Sequence, residues 1–111
     1  MATTMDAFNA IAEPKRRRVL EVLGAREWAV NEIVLELGWP QPMVSKHLGV
    51  LREVGLVHER RDGRRRMYRL DAQQLKPVHD WAQGFARFWD ESLDRLEEYL
   101  KQVQAERKKG K

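Results

Sequence analysis

Apolar residues recur along this chain in separate stripes whose spacing changes from helical to strand-like and back. Val44, Leu48, Leu51 and Val54 fall at steps of four, three and three. At about 100° per residue this aligns them on one side of a helix over 41–54. The other side carries Pro42, Ser45, Lys46, Gly49, Arg52 and Glu53, a small, polar and basic surface. Val30, Ile33, Val34 and Leu37 predict a second helix over 30–37, and Gly38 breaks the chain between the two. Helices are also expected over 6–12 and 14–24, the latter opened by Pro14.

Beyond Gly55 the period shortens. Strands are predicted over 57–61 and 65–70, with Tyr68 and Leu70 on one face and Met67 and Arg69 on the other. Asp62-Gly63 between them is a strong hairpin signal, because the turn needs a positive φ that Asp tolerates and Gly adopts freely. A long helix is then expected over 72–106. In it Val78, Trp81, Phe85 and Phe88 recur at three, four and three, and Trp89, Leu93, Leu96, Leu100 and Val103 continue at four, three, four and three. A head of about 70 residues cannot bury a stripe of that length alone. The economical partner is the same helix of a second copy, related by a twofold axis, and the alternative is a stripe folded back onto its own domain.

The chemistry concentrates in the hairpin. Between Arg60 and Arg69 there are six arginines (60, 61, 64, 65, 66 and 69) against one aspartate. Guanidinium forks at that density suit phosphate oxygens, which accept paired hydrogen bonds from arginine. A basic turn alone is often merely solvated, and a polar-backed helix is ordinary. A helix-turn-helix followed at once by an arginine hairpin is far more specific and reads as a DNA-binding head. Gln41 stands at the helix start, where recognition helices meet base edges. Ser45 has no partnered histidine and carboxylate, so its hydroxyl suits DNA rather than nucleophilic catalysis, and no base, nucleophile and oxyanion set supports an enzyme. His47 has two readings, a partly buried residue holding the helix to its neighbour or a phosphate contact.

Charge is unevenly placed. Residues 1–79 carry 14 Lys/Arg against 10 Asp/Glu, residues 80–106 carry 3 against 7, and the last five residues add four positive charges. Lys15-Arg16-Arg17-Arg18 is a further basic cluster that can reach phosphates. At 111 residues the chain is expected to form one domain over 1–106, comprising a head over 6–70 and the helix 72–106, with a basic disordered tail over 107–111. It has no cysteine, no signal-peptide pattern and no run of about 18 apolar residues, so a soluble, cytoplasmic, nucleoid-associated protein is expected, without membrane partners.

Four segments, FNAIAEPKRRRVLEV (8–22), VNEIVLELG (30–38), QPMVSKHLGVL (41–51) and REVGLVHERRDGRRRMYRL (52–70), together resemble the arsenic-repressor (ArsR) family of winged helix-turn-helix regulators. The resemblance covers about residues 6–100. It implies a mainly α fold of about five helices with a two-stranded β-hairpin wing, dimeric through the long C-terminal helix. It adds Phe8 and Ile11 of the first helix to an interface otherwise formed by Trp81, Phe85, Phe88, Trp89, Leu93, Leu96 and Leu100. It implies a homodimeric repressor on an inverted-repeat operator of double-stranded DNA. Gln41, Ser45, Lys46 and Arg52 would read bases, with His47 beside them. Arg60, Arg61, Arg64, Arg65 and Arg66 would hold phosphates or probe a minor groove.

The departures from the family pattern narrow the reading. Where metal-sensing members carry a cysteine pair, this chain has Asn31-Glu32-Ile33-Val34-Leu35-Glu36-Leu37, and thiolate ligation is excluded. His79 and Asp80 have no second histidine downstream to complete a site on the long helix. No metal or cofactor is therefore expected. Pro40 replaces the usual serine or threonine cap of the recognition helix, leaving Gln41 or water to cover its first donors. If a small molecule regulates the protein, Trp81, Phe85, Phe88 and Trp89 are the candidate lining, although such a stripe also serves simply as interface packing. A sequence-tolerant architectural DNA protein and a winged-helix protein-interaction module are the alternative functions.

Overall fold

The computed structural model describes residues 6–109. The elements run α1 (Ala7–Ile11), α2 (Pro14–Leu23), β1 (Trp28–Ala29), α3 (Val30–Leu37), α4 (Gln41–Glu53), β2 (Val57–Asp62), β3 (Arg65–Leu70), a 3-10 turn (Ala72–Leu75), α5 (Lys76–Gln83) and α6 (Ala86–Lys109). The chain divides into two compact units, one through Val78 and one from His79.

In the first unit the predicted stripes become the core. Val19, Leu20 and Leu23 of α2, Ile33 of α3, and Val44, Leu48 and Leu51 of α4 are buried with Ala10, Leu56, Val57 and Tyr68. The helix ends follow from short-range chemistry. Asp6 accepts the Asn9 N–H at 2.9 Å to start α1. Glu32 reaches back to the Ala29 N–H at 2.8 Å to start α3. Gly38, at φ 70°, closes α3 in the left-handed conformation. Pro40 gives α4 no side-chain cap, yet its carbonyl accepts from Met43 and Val44 at 3.1 and 3.2 Å, and the helix forms as expected. Arg16 and Arg17 of the basic cluster fold back onto the end of α1. Arg16 donates to the Ala10 and Asn9 carbonyls at 2.6 and 3.2 Å, and Arg17 to those of Ile11 and Ala12 at 2.6 and 3.4 Å, satisfying the end of α1.

The wing differs from the expectation in two ways. The sheet has three antiparallel strands in the order β1-β3-β2, because Trp28 and Ala29 pair with Tyr68 and Met67. In the hairpin Asp62 is the last residue of β2, paired with Arg65. The connecting residues are Gly63 and Arg64, and only Gly63 takes positive φ, at 65°. This is the φ pattern of a type II′ turn, with glycine at the first central position, rather than one centred on Asp-Gly. His58 and Asp71 join the strand to the segment after the wing at 2.8 Å, and that contact holds the Asp71 carboxyl below its usual range.

The segment after the wing corrects the expectation of one continuous helix over 72–106. A 3-10 turn precedes α5, and the helix is interrupted at Gly84-Phe85 before α6 begins. The Phe85 N–H bonds to the Ala82 carbonyl at 3.0 Å, one residue short of the helical partner. A Cβ at Gly84 would stand 3.2 Å from the Trp81 carbonyl, so this tightened turn suits glycine. Trp81 and Phe85 meet edge to face at 5.2 Å, and Phe88 follows at 6.4 Å from Phe85. These three side chains, with Trp89, Leu93, Leu96 and Leu100, are exposed. Arg107 belongs to α6 rather than to a disordered tail, and Gly110 and Lys111 lie outside the described residues.

Candidate nucleic-acid interface

Helices α3 and α4, joined through Gly38, form the helix-turn-helix. Burial of Val44, Leu48 and Leu51 leaves Gln41, Ser45, Lys46 and Arg52 exposed on α4, as the period required. His47 goes the other way. It is 8% exposed, packs edge-on against Trp39 at 6.3 Å, and its Nδ1 is buried without a partner. Burial, reinforced by the charges of Arg16, Lys15 and Lys46 and opposed by Glu13, lowers its pKa and favours the neutral ring. Of its two readings, this placement favours the internal strut over the phosphate contact.

A cleft of about 510 Å³ lies between the start of α3, the start of α4 and β3. Its walls bring Gln41 and Ser45 of the helix together with Arg64, Arg65 and Arg66 of the wing, and add Asn31, which was not among the expected DNA contacts. Lys46 lies on another flank, in a cleft of about 480 Å³ with Lys15, Met43 and His47. There Lys15 Nζ stands 5.9 Å from the centre of the Trp39 ring.

The wing arginines are not equivalent. Arg60 donates through Nε and Nη2 to both oxygens of Glu27, at 2.7 and 2.6 Å. This fork lowers the Glu27 pKa and raises that of Arg60. Arg65 lies 3.5 Å from Glu32, whose carboxyl is held low first by the Ala29 N–H and then by the charges of Arg26 and Arg65. Arg52 donates to Glu59 at 2.7 Å, and Arg66 lies 3.9 Å from the same carboxylate. The Tyr68 hydroxyl donates to Glu59 at 3.1 Å, and burial together with that carboxylate raises the Tyr68 pKa. Arg61 and Arg64 are exposed with no carboxylate partner among the described residues. The arginines expected to act as one phosphate-holding set therefore divide into tied and free members. Three carboxylates, Glu27, Glu32 and Glu59, make the division.

Among the described residues no three His, Cys, Asp or Glu side chains are grouped as a metal site would require, and His79 contacts its neighbour Asp80 at 3.3 Å. No helix among them is long and apolar enough to cross a membrane.

Comparison with known proteins places this geometry. A helix-turn-helix domain family matches residues 11–60. The HTH-type transcriptional regulator KmtR of Mycobacterium tuberculosis is 40% identical over 74 residues, covering 67% of this chain and 57% of that protein, so the match spans little more than half of that relative. The HTH-type transcriptional regulator Rv2034 of the same organism is 37% identical over 87 residues, 78% of each chain. In three dimensions, the crystal structure of a possible transcriptional regulator for arsenical resistance matches with a TM-score of 0.66 at 41% identity, covering 84% of this chain and 94% of that one. The helix-turn-helix, the arginine wing and these relatives together show that the chain belongs to the ArsR family of winged helix-turn-helix transcriptional regulators.

Proposed function

We propose that this regulator acts as a homodimeric repressor on an inverted-repeat operator, and that it does so without sensing a metal. The cleft that joins Gln41 and Ser45 to Arg64, Arg65 and Arg66 carries the reading, because it sets base-reading groups beside phosphate-reading ones. Gln41 and Ser45 enter the major groove from the first two turns of α4, with Lys46 on the flank. Arg61 and Arg64 supply the freest positive charge and hold the backbone. The dimer rests on the exposed stripe that runs from α5 through Phe85 into α6, whose seven large apolar side chains a second copy would cover. Two recognition helices related by a twofold axis then meet successive major grooves about 34–36 Å apart. Where the site overlaps a promoter, dimer and polymerase exclude each other. The cysteine-free α3 and the lone His79-Asp80 pair support regulation by something other than the usual metals. A protein so engaged resides on the nucleoid.

Selection of the purified protein against a random duplex library, at near-physiological salt with chelator present, tests the proposal. An enriched inverted repeat with half-sites about one helical turn apart is expected. Retention without enrichment would replace it with an architectural role, and no retention would replace it with protein docking.

A further inference from the structure

Glu59 lies where the two DNA-facing elements meet. It stands on β2 opposite Tyr68 of β3, and its side chain is only 17% exposed, against 56% for Arg52 and 55% for Arg66. Its Oε2 accepts from Arg52 Nη1 at 2.7 Å and from the Tyr68 hydroxyl at 3.1 Å, while Oε1 lies 3.9 Å from Arg66 Nε. One carboxylate thereby joins the last turn of the recognition helix to the second strand of the wing. Beside it is a small pocket of about 110 Å³, walled by Ser45, Gly49 and Arg52 from the helix and by Glu59, Arg66 and Tyr68 from the sheet.

A carboxylate on this surface is electrostatically unfavourable for plain phosphate binding. It repels the duplex and offsets charge on two arginines that would otherwise release counterions. An untethered arginine swings to whichever phosphate is near, on any sequence, and adds affinity without discrimination. A tethered one keeps its direction, and its hydrogen bonds are made in full only when the duplex presents the matching register.

We infer that Glu59 is a positioning residue for sequence discrimination: it fixes the guanidinium groups of Arg52 and Arg66 and the separation of recognition helix and wing, lowering affinity for random DNA relative to operator. The inference rests on the operator-reading function proposed above. Three full-length proteins are compared, wild type, Glu59→Gln and Tyr68→Phe, by measuring affinity for a selected operator and for a scrambled duplex over a salt series. Glu59→Gln keeps the volume and one acceptor oxygen. It is expected to bind scrambled duplex more tightly, with a salt slope steeper by about one phosphate contact, and to lose about tenfold in the operator-to-scrambled ratio. Tyr68→Phe keeps the ring in the core and removes only the hydroxyl that donates to the same Glu59 oxygen as Arg52, and about threefold loss in the ratio is expected, in line with one hydrogen bond. A structural role alone would lower both affinities in parallel and leave the ratio and slope unmoved. That result, or an unchanged ratio in both variants, overturns the inference. If Glu59→Gln does not fold, Tyr68→Phe alone decides. A wild-type protein without operator preference would refute the operator-reading function itself, and the role of Glu59 with it.

Discussion

Leu48 in the recognition helix and Leu93 in the last helix lie in stripes of the same period, yet 1% of the first is exposed and 60% of the second. Around Leu48 the neighbouring elements of the head supply Val19, Ile33, Leu56 and Tyr68 to close a core. Around Leu93 the stripe through Phe88, Trp89, Leu96 and Leu100 stays open to solvent. Full burial of one such side chain is worth about 1.5–3 kcal/mol, so the open face holds a stabilisation the single chain does not realise. Helical period says only that a face is apolar. Whether the chain itself covers that face is decided by the elements around it, and here the head is closed and the second unit is not.

Charging the open face should have the largest effect. Leu93→Glu with Leu96→Glu should give monomers in sedimentation equilibrium and lower operator affinity by about 100-fold, since each half-site is then bound alone. The melting transition of the head should remain. A double variant that stays dimeric would place the interface elsewhere.

Inside the head the division of the arginines gives the next largest effect. Arg61→Ala with Arg64→Ala should weaken binding to every duplex by about tenfold at moderate salt and reduce the salt slope by about two contacts. Arg60→Ala, which breaks the fork to Glu27, should act chiefly on thermal stability and leave the slope nearly intact. A slope loss of about one contact for Arg60→Ala, measured by fluorescence anisotropy, would show that the pair with Glu27 opens on DNA.

The smallest effect concerns His47. Its folded pKa is depressed below the ordinary 6.5, so the unfolded chain binds the proton first and acid favours unfolding. Stability of the head should therefore be fully present above about pH 6.5 and decline as pH falls through the lower, folded value, with His47→Asn flattening that part of the profile. Glu27, Glu32 and Asp71 are also depressed but act in a separate window, below the carboxylate range near 4.5 for the glutamates and 3.8 for the aspartate. Urea midpoints between pH 7.5 and 5.5 check the direction. A midpoint that rises on acidification would mean the ring is charged in the fold.

Local periodicity carried most of the architecture. The stripe Val44, Leu48, Leu51 announces both the recognition helix and its buried side, and Gly38 and Gly63 mark the turns they make. What escaped the sequence was either too short or too distant. Strand β1 is two residues, Trp28 and Ala29, too few for alternation to register. The helix interruption turns on a single Gly84 inside an otherwise unbroken apolar pattern. The tied arginines could not be told from the free ones because the partners of Arg60 and Arg65 lie 33 residues upstream, at Glu27 and Glu32. Only the strand pairing that brings Trp28 beside Tyr68 delivers those carboxylates to the wing. The candidate site was thus legible as a list of donors and illegible as a network.

In the proposed dimer the closed head would read each half-site and the paired open faces would fix the distance between them, so operator spacing depends on both regions. The direct measurement is the affinity of the wild-type protein for a selected inverted repeat and for the same repeat with five base pairs inserted at its centre, which rotates one half-site by about half a turn. The insertion is expected to lower affinity by about 100-fold, to the level of a single half-site. Equal affinity for the two duplexes would contradict it, since the heads would then be reading DNA independently of each other.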